Sequence, residues 1–190
     1  NQIYAYGKGP TKVTVTAPDT AYPIGTPMVI KGAVTDISAG TRQDAVAMNF
    51  PNGLPAIADE SMSDWMQYVH MQFPRPTNAT GVEVTLDAVD PNGNWVHIGT
   101  VKSESSGMFK KMFIPQVPGE YSIIATFPGS KSYYASYTET AIDVQEAPPA
   151  TPPPPQPQPA PDPTPTIIGT GIAIIIAVAI ATILILRKRQ

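Results

Sequence analysis

Apolar and polar residues alternate in seven short runs along the first three quarters of the chain. Residues 12–17 (KVTVTA) set the pattern, with valine at alternate places and lysine or threonine between them. That period of two is the mark of a strand with one buried face. Residues 28–34 (MVIKGAV), 82–89 (VEVTLDAV), 95–101 (WVHIGTV), 108–114 (MFKKMFI), 121–127 (YSIIATF) and 137–144 (YTETAIDV) follow it less strictly. Turn-forming residues lie between them: 22–27 (YPIGTP), 91–94 (PNGN, whose Asn-Gly pair tolerates positive φ) and Pro118-Gly119 ahead of the sixth run.

Two stretches break the period. In residues 60–72 (ESMSDWMQYVHMQ) the apolar spacing becomes helical, with Met62, Trp65, Met66, Val69 and Phe73 at i, i+3, i+4, i+7 and i+11. This predicts a helix inside a long insertion, residues 36–81, with Ser61 and Asp64 placed to cap its start. The apolar stripe either packs over the end of the β domain or forms a partner-binding face, with Met62, Trp65, Met66 and Val69 as the contact candidates. The second break is residues 167–186 (IIGTGIAIIIAVAIATILIL), twenty residues without a charge. As a helix they reach roughly 30 Å, the thickness of a bilayer's hydrocarbon core.

Seven strands bounded by turns predict a mainly β fold, an immunoglobulin-like antiparallel β-sandwich over residues 11–146 with a helical insertion. Tyr121 stands where such sandwiches place a tyrosine whose hydroxyl ties strand to loop, a role that competes with that of an ordinary half-buried strand residue.

Residues 147–166 join the β region to the apolar run, and eleven of these twenty are proline. With few amide donors they cannot form helix or sheet interior, and as a polyproline II rod they span up to roughly 60 Å. The apolar run ends at Arg187-Lys188-Arg189, which assigns residues 187–190 to the cytoplasm and everything before residue 167 to the outside. Rod, span and basic stop define a single-pass cell-surface anchor. Along the span, Gly169, Ala173, Ala177 and Ala181 recur every fourth residue as a ridge of small side chains suited to close helix packing, with a copy of itself or another envelope protein.

Composition narrows the chemistry. Of twelve Lys and Arg, three are the terminal block, which leaves nine against fifteen Asp and Glu and a charge of about −6 for the rest. Such a dispersed acidic surface disfavours nucleic acid, and the apolar span makes membrane lipid the expected partner. The chain has no cysteine, hence neither disulfide nor thiolate chemistry, and two histidines, His70 and His97. Asp90, Asn92 and Asn94 begin like a calcium loop, but Trp95 and Val101 occupy its required Gly and Glu places, so a plain turn is expected. Asp59, Glu60 and Asp64 suit the positive end of the helix dipole. No nucleophile, phosphate-cradle or zinc motif is present, and neither enzymatic activity nor a cofactor is expected. Asn78-Ala79-Thr80 is the one glycosylation sequon, in a turn-rich segment.

Residues 115–144, with their PGxY and AtFxGsxxY patterns, resemble the closing strands of prokaryotic immunoglobulin-like repeats of surface proteins. The opening IYAYGKG resembles the last strand of a blade in pyrroloquinoline-quinone-type β-propellers. The order of all these elements is similar to the C-terminal region of archaeal surface proteins that carry such propeller repeats. The resemblance implies a non-enzymatic module that displays an upstream propeller, with residues 1–10 as the end of a propeller strand and a linker. It carries over no cofactor residues. An adhesin acting through the insertion helix, or the stalk of an extracellular enzyme, are the competing roles.

Overall fold

The computed structural model describes residues 7–147, 149 and 164–188. The proposed propeller strand end, most of the proline-rich segment and Arg189 lie outside the described residues. The chain divides into two compact units, Asn1–Pro148 and Pro149–Gln190.

The first unit is a β-sandwich. Among the described residues nine strands form in chain order: β1 (Thr11–Thr16), β2 (Tyr22–Pro23), β3 (Met28–Asp36), β4 (Leu54–Pro55), β5 (Glu83–Val89), β6 (Trp95–Lys102), β7 (Met108–Phe113), β8 (Gly119–Phe127) and β9 (Ser136–Gln145). In one sheet β3 is central, with β1 on one side; on the other, β7 pairs with its first part and β4 with its end. The second sheet runs β2-β9-β8-β5-β6. Pairing is antiparallel except for the two-residue β2, which runs parallel to β9. All seven strands expected from alternation form, with ends shifted by up to two residues. The two-residue β2 and β4 escape any periodicity argument, because two residues have no period. Tyr22-Pro23 was expected in a turn. Those residues instead hold the edge of β9, and the turn begins just after, where the Thr26 N–H donates to Pro23 O.

Alternation puts Val13, Val15, Ile30 and Val34 of one sheet against Val84, Leu86, Ile123, Ala125 and Ile142 of the other, all buried in one apolar core. A disulfide-free domain has this burial as its main source of stability, at roughly 25 cal/mol per Å² of apolar surface removed from water. Two local details seat the sheets. Gly32 of β3 lies under the Phe109 ring and beside the Thr14 carbonyl, so a side chain there would collide with both. Tyr121, buried and edge-on to Phe113, accepts a hydrogen bond from the Val117 N–H at 2.9 Å and ties β8 to the loop before it.

β1 begins, and β3 ends, at one end of the sandwich, where the insertion also sits. β9 runs parallel to β1, linked at its start by the Gly9–Tyr133 bridge, and ends beside Tyr22 and Pro23 at the opposite end. The chain therefore enters at one end of the domain and leaves at the other.

Among the described residues the second unit has one helix, α3 (Thr164–Lys188), whose segment Ile167–Lys188 has mean hydropathy 2.7 and no buried residue. It is long and apolar enough to cross a membrane. It starts three residues before the apolar run, at a Thr-Pro step. A proline is tolerated in the first turn, where amide hydrogens have no helical acceptor. Thr170 and Thr182 return their hydroxyls to Ile167 O (3.0 Å) and Val178 O (2.7 Å), so these polar groups are satisfied within the helix.

Gly32→Ala is expected to destabilise the β domain by about 1–3 kcal/mol, since overpacking there meets backbone as well as ring. Urea unfolding of residues 9–146 measures this; an unchanged midpoint would mean that β1 and the Phe109 ring give way freely at Gly32.

Candidate functional site

The insertion is the one part of the β unit that the sandwich itself does not require, and it builds a second, smaller core. A six-residue helix, α1 (Asp44–Asn49), precedes the helix α2 (Met62–Met71), and Val46, Leu54, Ile57 and Trp65 are buried between them. α1 was not foreseen, since Asp44–Asn49 is too short to display a helical period. Trp65 is 0% exposed and packs against Phe50 and Tyr68 at centroid distances of 5.9 and 5.4 Å. Met66 and Val69 are half-buried against the same cluster, and Met62 leans on the main core. In this geometry the apolar stripe of α2 serves packing. Phe73 does not follow it: Gln72 takes a left-handed conformation (φ 60°) that ends the helix, and Phe73 emerges 53% exposed.

Ser61 occupies the N-cap position of α2 without a side-chain capping bond; its Oγ accepts the Thr80 N–H instead, at 3.3 Å. The expected capping box is therefore absent. The Met62 N–H is met instead by Asp59 O of a preceding 3₁₀ turn, Asp59–Ser61. That turn redirects Asp59 as well. Rather than facing the helix dipole, its carboxylate accepts hydrogen bonds from Ser130 Oγ (3.0 Å), Lys131 N (2.9 Å) and Ser132 N (3.0 Å). This clamp fastens the insertion to the β8–β9 loop, seventy residues away. Partial burial on its own raises the Asp59 carboxyl, but the donors from Ser132, Lys131 and Ser130 outweigh it and hold the group below the usual 3.8. No local pattern announces such a contact.

Beside α2, residues 73–78 border an open cavity of about 350 Å³, with Asp64 and Gln67 on its helix side. The Arg75 guanidinium stands 5.8 Å from the Trp65 ring centroid and seals that side of the small core. Asn78 is exposed in a turn at the rim.

His97 and Asp90 also have structural partners. His97 Nδ1 lies 2.7 Å from Asp87 Oδ1, directly across the β5–β6 pair. This contact was not foreseen, because it joins residues ten apart through strand register. His70 is exposed near the end of α2. Asp90 accepts from Asn92 N, Asn94 N and Asn94 Nδ2, which forms the expected turn; the Asn94 side chain is the chief cause holding its carboxyl below the usual value. No group of three or more His, Cys, Asp or Glu able to hold a metal occurs among the described residues.

In α3, Gly169, Ala173, Ala177 and Ala181 lie along one side, and a Cβ added at Gly169 would meet open space. Arg187 and Lys188 occupy the last turn.

No protein-family model matches the chain, and no curated protein matches it. Among solved structures it is similar to a β-glucosidase from Listeria innocua in complex with glucose, at 9% identity and a TM-score of 0.32. That alignment covers 71% of this chain and 16% of the enzyme. A likeness this shallow carries no argument about fold or activity.

Two outcomes follow from the seam. Trp65→Ala is expected to cost about 3–5 kcal/mol in urea unfolding; a loss under about 0.5 kcal/mol would place the indole outside the core. Asp59→Asn is expected to destabilise the domain at neutral pH. Because the folded carboxyl titrates below the unfolded one, its contribution is complete above the unfolded value and fades as pH falls through the folded one. The gap in stability between parent and variant should therefore narrow below about pH 4. A gap that stays constant down to about pH 2 would assign the loss to shape rather than charge.

Proposed function

We propose that the chain is a non-enzymatic, membrane-anchored surface module that holds an upstream extracellular region away from the cell. The observation that carries this reading is the placement of entry and exit at opposite ends of the sandwich. A domain threaded in this way adds its whole strand length in series. β9, with ten residues, contributes about 30 Å to whatever the proline-rich residues 147–166 supply. The chain then reaches α3, whose apolar length fits a bilayer and whose last turn carries Arg187 and Lys188. On this reading the N-terminal part is extracellular and the terminal block cytoplasmic.

The sandwich is of the immunoglobulin-like kind in this proposal. Support comes from the division of its long strands, β1, β3 and β7 against β5, β6, β8 and β9, and from the Tyr121 tie to the backbone four residues upstream. The resemblance to archaeal propeller-bearing surface proteins agrees with this order of elements. An adhesin working through α2 would need Trp65 at the surface, and its burial weighs against that role.

Topology tests the proposal. In intact cells, an epitope placed after Gln190 should be protected from added protease, while the β domain should be released by cleavage between residues 147 and 166. An accessible epitope with a protected β domain would reverse the orientation, and release of the chain by a salt wash alone would dismiss the anchor.

A further inference from the structure

The exposed charges on one outer face of the sandwich are all basic, and those on the other are mainly acidic. On β1, β3 and β7 the exposed charged residues are Lys12, Lys31 and Lys110 alone; Asp36, the one carboxylate in these strands, is buried. On β5, β8 and β9 the exposed charged residues are Glu83, Glu120, Glu139 and Asp143, all acidic; the edge strand β6 adds Lys102, which stands opposite Glu83 and pairs with Glu60 of the insertion, so the acidic excess lies on β8 and β9. Each face also sets two like charges directly opposite one another, Lys31 against Lys110 and Glu120 against Asp143. Neither pair has a salt-bridge partner among the described residues. Like charges facing across a strand pair destabilise a sheet, so each arrangement costs the isolated domain stability. Exposed apolar side chains lie among the charges: Val29, Met108 and Met112 on the basic face, Tyr137 on the acidic one.

We propose that the basic face of one copy docks on the acidic face of the next, so that the domain assembles side by side with itself. Each repulsive pair then gains a complement, and the exposed methionines gain cover. Because the two faces differ, the contact is head-to-tail and leaves a free face at each end, which gives open rows rather than closed dimers. A simple translation brings the faces together and keeps every copy pointing the same way, as chains rooted in one membrane must. The basic face, three strands by about six residues, covers about 300 Å², well under the roughly 800 Å² per partner of a standard interface. The contact is therefore weak in dilute solution and depends on the crowding that a shared membrane provides. To this extent it rests on the anchored reading.

The test uses the full chain in phosphatidylcholine vesicles, with donor and acceptor dyes at the C-terminus. Co-flotation with the vesicles reports on the anchor, and energy transfer reports on assembly. Transfer in the parent should exceed that of randomly placed copies at low salt and fall at least twofold in about 0.5 M salt. Lys31→Glu/Lys110→Glu and Glu120→Lys/Asp143→Lys should each fall to the random level alone. Mixed together they should regain the parent's transfer, because one then offers two acidic faces and the other two basic ones. Recovery in the mixture also demonstrates that both variants fold. Should either fail to melt like the parent, the neutral Lys31→Gln/Lys110→Gln should still lower transfer at least twofold. Transfer that ignores both salt and charge reversal would come from the membrane helix and overturn the proposal. So would a mixture that stays at the random level. Parent copies that float but remain randomly placed, yet adsorb through the lysine face to phosphatidylglycerol vesicles, would assign that face to lipid instead.

Discussion

Apolar contact between the two sheets must hold this domain together, because the chain has no cysteine with which to cross-link it. Everything else in the β unit is arranged so that those inner faces meet. Gly32 gives up its side chain to admit the Phe109 ring, and the Tyr121 hydroxyl satisfies the Val117 N–H at the edge of the core. The insertion follows the same logic at smaller scale. Val46, Leu54, Ile57 and Trp65 form a satellite core too small to stand alone, and the Asp59 carboxylate fastens it to the loop between β8 and β9. The fastening combines apolar burial with a charged acceptor whose donors are mostly backbone.

The seven long strands were legible because each has one wet and one dry face, and that asymmetry is written into alternate residues. α2 was legible for the same reason at a different period. What escaped has a common physical character: its reason for existing lies elsewhere in the chain. β2 is a strand because Val144 and Gln145 pass beside it, and β4 because the end of β3 does. Ser61 looks like a cap by its neighbours, yet bonds the Thr80 amide, nineteen residues on. Asp87 and His97 meet only once β5 and β6 are in register. Among the candidate contact residues of α2, a helical stripe looks the same whether it faces a core or a partner. Only the arrival of Val46, Phe50, Leu54 and Ile57 from outside α2 against Trp65 distinguishes the two.

The two units satisfy their polar side chains in different ways. In the sandwich, polar side chains such as Asp59, Asp87 and Asp90 find partners across loops and strands, since water competes for each of them. In α3 the Thr170 and Thr182 hydroxyls bond back to carbonyls of their own helix, and the small residues Gly169, Ala173, Ala177 and Ala181 leave the backbone open to close approach.

The opposite placement of entry and exit also decides how the domain meets a mechanical load. Tension on a tethered module pulls β1 toward one end of the sandwich and β9 toward the other, each along its own axis. The hydrogen bonds that join β1 to β3 and β9 to β8 lie across that direction. They are loaded in shear, all together, and must break as a group rather than open one by one like a zip. Resistance to pulling is a rate, set by the barrier to unfolding rather than by equilibrium stability. A modestly stable, disulfide-free domain can therefore be a durable link in a chain under tension.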